Sequence, residues 1–263
     1  MARLVLDLKK SIEENASDYY DKAKKLKKKI TGAEEALKKS QKKLRQLQQK
    51  KEKLEAEEEK KSIAKGRKKE WYEKFRWFLS SDNFLVLGGR DATSNEIIIK
   101  KHTDTDDIVL HTDMAGSPFF VIKAANKKIP ESTIKEAADA TCTFSRAWKL
   151  GLQNSDVFYV NPDQVTKKAK SGEYLTKGAF MIYGKTNYIE NKINLAIGIT
   201  KDNAVMAGPI EAVKKHCKKY ITLKQGDEKV SNIAKKINHK FDNMLDLDEI
   251  IRVLPAGNFK ISG

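Results

Sequence analysis

The sequence predicts an α+β globular domain, with an antiparallel or mixed sheet and helices, preceded by a long N-terminal α-helical coiled-coil arm. Charged, helix-forming residues dominate before residue 70, whereas short runs of large apolar residues become dense after it. In the second part, predicted strands come in groups separated by helices, which is typical of α+β rather than doubly wound chains. We therefore divide the 263 residues into an arm at 1–80 and a domain at 81–263.

The arm is predicted from its apolar spacing. Positions at alternating intervals of four and three from Ile12 to Leu54 are apolar, except for Ser40 and Lys51. This is the a/d seam of a left-handed coiled coil. A single helix leaves such a seam uncovered, so we expect a homodimer or a partner helix to cover it. A second, short helix over 71–79 would present a stripe of aromatic residues that anchors the arm to the domain.

The elements of the domain follow from runs of apolar residues bounded by turn residues. Strands are predicted at 84–87, 96–100, 108–110, 119–122, 157–160, 179–183, 195–199, 204–206 and 220–223. The first four of these predict an antiparallel meander. Helices are predicted at 130–151, from 209, at 230–241 and at 247–253.

The charge of the chain predicts an anionic partner. The net charge is +16 and the isoelectric point is near 9.5. The first 80 residues hold 25 Lys and Arg against 14 Asp and Glu, whereas residues 81–263 hold 27 against 22. Nucleic acid is the favoured partner and an acidic membrane surface is the alternative. We expect no membrane insertion, because no run of about 18 apolar residues occurs.

The cysteines and the N-terminus predict a cytoplasmic protein. Asp7 and Lys9 interrupt any apolar signal segment. Cys142 and Cys217 are far apart and lack metal-ligand spacing, so free thiols are expected rather than a disulfide or a zinc site. No cofactor or metal is predicted, and the absence of nucleotide-binding and hydrolase signatures predicts that the chain is not an enzyme.

Three clusters could carry chemistry. His111 and Asp113 lie two apart, so on a strand they would share a face, as an acid–base pair, a structural pair or an RNA contact. The Gly88–Asp91 segment could bring backbone N–H groups and Arg90 to a phosphate, or could form a plain turn with an Arg–Asp pair. The segment 164–178 is a polar, lysine-rich loop with one tyrosine, which suits RNA or is simply a solvated loop.

Three blocks in this order resemble a known family. Residues 71–101, 111–117 and 164–188 are similar to the NFACT-R domain of the NEMF/Tae2/RqcH ribosome quality-control proteins, also called fibronectin-binding-protein-A-like. The arm, with NASDYYDKAKKLKKKITGAEEALKK, resembles their coiled-coil middle region. Two positions depart from the family pattern: Ala115 replaces a common histidine, and Lys170 replaces a usual proline, which makes the loop less rigid.

The resemblance implies a factor that binds tRNA and the large ribosomal subunit carrying a stalled nascent chain. Full-length members support untemplated C-terminal tailing. Their NFACT-N domain has no counterpart here, so we expect a truncated or split form that does not tail alone. An interaction or dimerisation adaptor without direct RNA readout is the alternative. The expected RNA-binding residues are Arg90, Lys100, Lys101, His111, Lys167, Lys168, Lys170, Lys177 and Lys185.

Overall fold

The structure, a computed structural model, describes residues 5–7, 9–64, 68–168 and 175–262, with 49–50 and 52–64 described by backbone alone. Its contacts divide the chain into two units, 1–68 and 69–263. The described residues form α helices and antiparallel sheets, which confirms the α+β class. The predicted Lys170 and the middle of its loop lie outside the described residues.

The first unit is one long helix, α1 (Ile12–Ala64). Ser11 begins it with a capping box: Glu14 N–H donates to Ser11 Oγ at 3.1 Å, and Ser11 N–H donates to Glu14 Oε2 at 2.7 Å. At about 1.5 Å per residue, the helix spans roughly 80 Å. The coiled-coil character of this helix stays a prediction.

The second unit contains the remaining helices and strands. The helices are α2 (Ala92–Lys101), α3 (Glu131–Thr143), α4 (Arg146–Leu150), α5 (Ile210–His216), α6 (Val230–Lys240) and α7 (Leu247–Val253). The strands are β1 (Arg76–Leu79), β2 (Leu85–Gly88), β3 (Ile108–Thr112), β4 (Phe120–Ile122), β5 (Val157–Val160), β6 (Val165–Thr166), β7 (Met181–Ile182), β8 (Asn187–Ile189), β9 (Leu195–Thr200), β10 (Val205–Gly208), β11 (Cys217–Lys229) and β12 (Asn258–Ile261). Short 3₁₀ turns occur at Trp71–Lys74 and Pro162–Gln164.

Two larger sheets organise the described part of this unit. One has the order β1-β2-β4-β3-β5-β8, and the other has the order β10-β9-β11-β12. Adjacent strands pair antiparallel, and β6 and β7 form a separate small ribbon. A continuous cluster of buried apolar side chains runs through both larger sheets and includes Phe78, Leu110, Ile197 and Phe259. Burial of this cluster supplies the main stabilisation of the unit.

Two element predictions were wrong. Residues 71–79 form a 3₁₀ turn and β1 rather than a helix. Residues 96–100 belong to α2 rather than to a strand, so the first strands do not follow the predicted meander order. Asp91 caps α2, and this local cap outweighs the strand preference of the Ile97–Ile99 run. The predicted helix over 130–151 is interrupted near Ser145, which caps α4.

Candidate functional site

The glycine turn after β2 is held by the sheet and by α2. The Gly89 N–H donates to the Phe119 carbonyl at 3.0 Å, so it is not available to a phosphate. A Cβ on Gly89 would lie 1.6 Å from Asn95 Oδ1, which itself accepts from the Phe119 N–H at 3.2 Å. Asp91 accepts from the Ser94 N–H at 2.7 Å and caps α2. Glycine is therefore required at position 89 for close packing, and Asp91 serves the helix.

A cavity of about 540 Å³ opens beside this turn. Its lining brings together cationic side chains from β1, the glycine turn, α4 and the segment 175–180. Asp91 is the acidic residue in this lining, and it is engaged by α2. We call this site the basic cavity, and its cations are Arg76, Arg90, Arg146, Lys149 and Lys177.

Arg76 and Arg90 are partly buried, whereas the other three cations of the basic cavity are exposed. The Arg76 Nη1 donates to the Gly89 carbonyl, and its guanidinium lies 5.0 Å from the centre of the Phe144 ring. Its Nε is buried and has no hydrogen-bond partner among the described residues, and no described carboxylate lies within ion-pair distance of it. Burial, with the neighbouring charge of Arg90, lowers the pKa of Arg76 to about 10, so it remains cationic at neutral pH.

The lining of the basic cavity also has an aromatic part. The Phe119 and Phe180 rings meet edge to face with centroids 5.4 Å apart, and the His111 ring stacks on Phe119 at 4.1 Å. Gly178 has a φ of +79°, and a Cβ there would lie 2.6 Å from Ala92 Cα. Glycine therefore lets the 175–180 segment pass directly over the start of α2 and close this side of the cavity.

His111 and Asp113 have separate partners in the structure. The His111 Nε2–H donates to the Ser117 carbonyl at 3.2 Å, whereas Asp113 accepts from the Tyr188 hydroxyl at 2.8 Å. Burial lowers the pKa of His111, so its ring is neutral at pH 7. His111 therefore adds an aromatic wall to the basic cavity rather than a positive charge.

The described lysines of the predicted RNA-binding loop fall at different places. Lys167 donates to the Thr176 carbonyl at 3.0 Å and lies 5.0 Å from the centre of the Phe180 ring. Lys168 and Lys185 are exposed and do not line the basic cavity. Lys167 is thus used to hold the two sides of its own loop together.

Lys100 and Lys101 lie in the last turn of α2. Lys100 pairs with Glu96 at 2.5 Å, and Lys101 is exposed. Because the segment is helical, these side chains project from the end of α2 and do not line the basic cavity. Of the expected RNA-binding residues, the structure brings together Arg90, His111 and Lys177.

Three cations of the basic cavity were not identified from the sequence: Arg76, Arg146 and Lys149. Arg76 lies in the aromatic segment 71–79, for which the sequence predicted a packing role and no RNA contact. Arg146 and Lys149 follow Ser145, whose role as a helix cap marks a break in the long predicted helix. That serine was the available signal, because a new helix start changes the direction in which the following side chains project.

The described ranges contain neither a metal-binding cluster nor a membrane-spanning helix. There, no cluster of three or more His, Cys, Asp or Glu side chains could hold a metal ion. No helix described by the structure has the length and hydrophobicity needed to cross a bilayer. Cys142 and Cys217 are free, and burial raises the pKa of both thiols.

Comparison with known proteins assigns most of the second unit. Residues 74–184 match the family described as "NFACT protein RNA binding domain". The chain is 42% identical over 207 residues to the "Archaeal Rqc2 homolog aRqcH" of Methanocaldococcus jannaschii, covering 77% of this chain and 30% of that protein. The five cations of the basic cavity all lie within the matched residues.

Eukaryotic relatives show the same similarity. The chain is 41% identical over 180 residues to "Ribosome quality control complex subunit NEMF" of Homo sapiens, covering 66% of this chain and 16% of that protein. It is 34% identical over 186 residues to "Ribosome quality control complex subunit 2" of Schizosaccharomyces pombe, covering 70% and 18%. The chain thus spans less than a third of the length of these relatives.

Proposed function

The chain belongs to the NFACT/NEMF/RqcH ribosome quality-control family, and we propose that it is an RNA-binding module that attaches to tRNA and to the large ribosomal subunit carrying a stalled nascent chain. One observation carries the proposal: the residues that match an RNA-binding domain also build the basic cavity. Phosphate oxygens are the ligands that arginine and lysine clusters favour. The module would bind RNA rather than turn over a substrate, and it would act in the cytoplasm.

The arm would add sequence-independent attraction. Its lysines are exposed along the described part of α1, so they can neutralise RNA phosphates without a defined geometry. In a full-length family member, the module would support C-terminal tailing of the stalled chain. We do not expect tailing from these residues alone, because they match only a part of each relative.

Titration of tRNA against salt tests the proposal. Binding is measured by fluorescence anisotropy between 50 and about 300 mM salt, and log K should fall linearly with log[salt]. Lys177→Glu should weaken binding at low salt and reduce the slope, because Lys177 lines the basic cavity. The matched control is Lys135→Glu on α3, which is an equally exposed lysine outside that lining. A slope near zero, or equal effects of the two variants, would contradict a phosphate interface at this site.

The second candidate function is an interaction adaptor that uses the arm. The seam residues Leu26, Ile30, Leu37, Leu44 and Leu47 are each more than half exposed. An exposed apolar stripe of this spacing suits a second helix, in a homodimer or with a partner protein. Sedimentation equilibrium of the whole chain tests it: a concentration-dependent dimer that Leu37→Lys abolishes supports the adaptor, and a monomer up to about 100 µM argues against self-association.

A further inference from the structure

The basic cavity has features that a flat phosphate-binding surface does not need. We propose that it receives one unstacked nucleotide of single-stranded RNA, with the phosphate held by the cations and the base placed against the Phe119–Phe180 wall. This inference rests on the proposed RNA-binding function and specifies what one site on that interface takes.

The charge arrangement points to an anionic occupant. A buried guanidinium is ordinarily paired with a carboxylate or saturated with hydrogen bonds. Among the residues that the structure describes, Arg76 has one backbone carbonyl as acceptor, its buried Nε has no partner, and no carboxylate lies within ion-pair distance. Arg146 and Lys149 project into the same space from α4. A phosphate would supply the acceptors that the described part of the chain does not offer to Arg76.

The volume of the basic cavity and its aromatic lining indicate a ligand larger than a phosphate. A volume of about 540 Å³ lies in the range of pockets that enclose small organic ligands. Phe119, Phe180 and His111 line that space together with the cations. Aromatic rings next to arginines are the usual setting for an unstacked base attached to its phosphate.

The concave shape of the basic cavity favours single-stranded RNA. A paired base within a duplex cannot leave its stack to enter a walled cavity without losing its pairing, whereas a loop or an end can present one base. The serine hydroxyls in the lining are already engaged, since Ser117 Oγ lies 2.5 Å from Thr112 Oγ1 and Ser145 Oγ donates to the Cys142 carbonyl at 2.6 Å. We therefore expect binding to depend on an available nucleotide more than on which base it carries.

Binding of a 5′-labelled uridine pentanucleotide to the full chain, measured by fluorescence anisotropy at several salt concentrations, tests the inference. Lys149→Ala should weaken binding several-fold and reduce the log–log salt slope by about 0.7, the value for one phosphate contact in a single strand. The control is Lys214→Ala, because Lys149 and Lys214 are exposed lysines in the last turns of short helices and only Lys149 lines the basic cavity. The control should bind as the parent chain does.

Arg76→Gln tests the deeper cation. It should weaken binding at least tenfold, and tryptophan fluorescence establishes whether the variant is folded. If it does not fold, the Lys149 and Lys214 pair still decides the question. Equal pentanucleotide affinity for Lys149→Ala and Lys214→Ala would overturn the inference.

Two further comparisons distinguish failure of the nucleotide site from failure of the proposed function. If the parent chain binds tRNA but not the pentanucleotide, the nucleotide site is wrong while the proposed function stands. If it binds neither RNA, the proposed function itself fails. Free uridine monophosphate should compete only weakly; competition as strong as that of the pentanucleotide would mean that the cavity serves a free nucleotide and would overturn the RNA assignment.

Discussion

Gly89→Ala should destabilise the domain, and the cost should depend on Asn95. The new Cβ would lie 1.6 Å from Asn95 Oδ1 and 2.6 Å from Asn95 Cγ, so the carboxamide must move. Its hydrogen bond from the Phe119 N–H is then lost. An unpaired buried N–H costs about 1–3 kcal/mol, and overpacking costs about 1–3 kcal/mol more. We expect a total loss of about 2–5 kcal/mol.

Asn95→Ala should cost about 1–3 kcal/mol by itself, because it removes the same acceptor from Phe119. In this background the methyl group at position 89 no longer meets a carboxamide. The contact that remains is the backbone nitrogen of residue 95, at 3.1 Å. The two costs should therefore combine to less than their sum, with a coupling energy of about 1–3 kcal/mol.

Urea unfolding followed by tryptophan fluorescence measures this cycle. Trp71, Trp77 and Trp148 all lie in the second unit, so the signal reports that unit rather than the long helix. Gly208→Ala is the control, because its Cβ would meet Phe78 Cγ at 2.9 Å and would not meet Asn95. Its cost should add to that of Asn95→Ala within about 0.5 kcal/mol. Additive costs for Gly89→Ala and Asn95→Ala would refute the proposed contact.

Two other predictions concern ionisable groups. Asp107→Ala should lower the free energy of unfolding by about 3–5 kcal/mol, because Asp107 is 2% exposed, accepts from the Ala124 N–H and pairs with Lys123. The control is Asp104→Ala. Asp104 contacts the same lysine at 2.8 Å but is 82% exposed, so its loss should cost less than about 1 kcal/mol. Similar urea midpoints for the two variants would contradict this burial argument. Because burial lowers the pKa of His111, the unfolded chain binds its proton more readily, and this group makes stability fall as pH drops below about 6.5. The urea midpoint of His111→Gln should therefore fall less between pH 7.5 and 5 than that of the parent chain. An unchanged pH dependence in His111→Gln would show that the ring is not held neutral.

The elements that the sequence predicted well have uninterrupted local signals. The strand at 157–160 and the helix at 247–253 have the predicted bounds. Each is a short apolar or amphipathic run with turn or capping residues beside it. The region 71–79 lacks such a signal, because Trp77 and Phe78 are both buried and β1 shows no alternation. A strand covered on both faces cannot be told from a helix by periodicity.

The candidate site was predictable only in part for a related reason. Arg90 and Lys177 stand in glycine-containing turns that composition marks as special. Arg76 and Lys149 come from a strand and a short helix, and they meet only because β1 and α4 are brought to the same cavity by the fold. The spacing of Arg76 and Lys149 along the chain does not indicate that they line the same cavity.

The distribution of charge assigns different roles to the two units. Residues 1–68 hold 22 Lys and Arg against 12 Asp and Glu, and the described cations of α1 project from an exposed helix. Residues 69–263 have a smaller excess, with 30 Lys and Arg against 24 Asp and Glu, yet they gather Arg76, Arg146 and Lys149 around one cavity. Dispersed charge attracts any RNA in a salt-dependent way, whereas converging charge beside an aromatic wall fixes where one nucleotide lies. The arm would therefore set the strength of attachment, and the basic cavity would set its register.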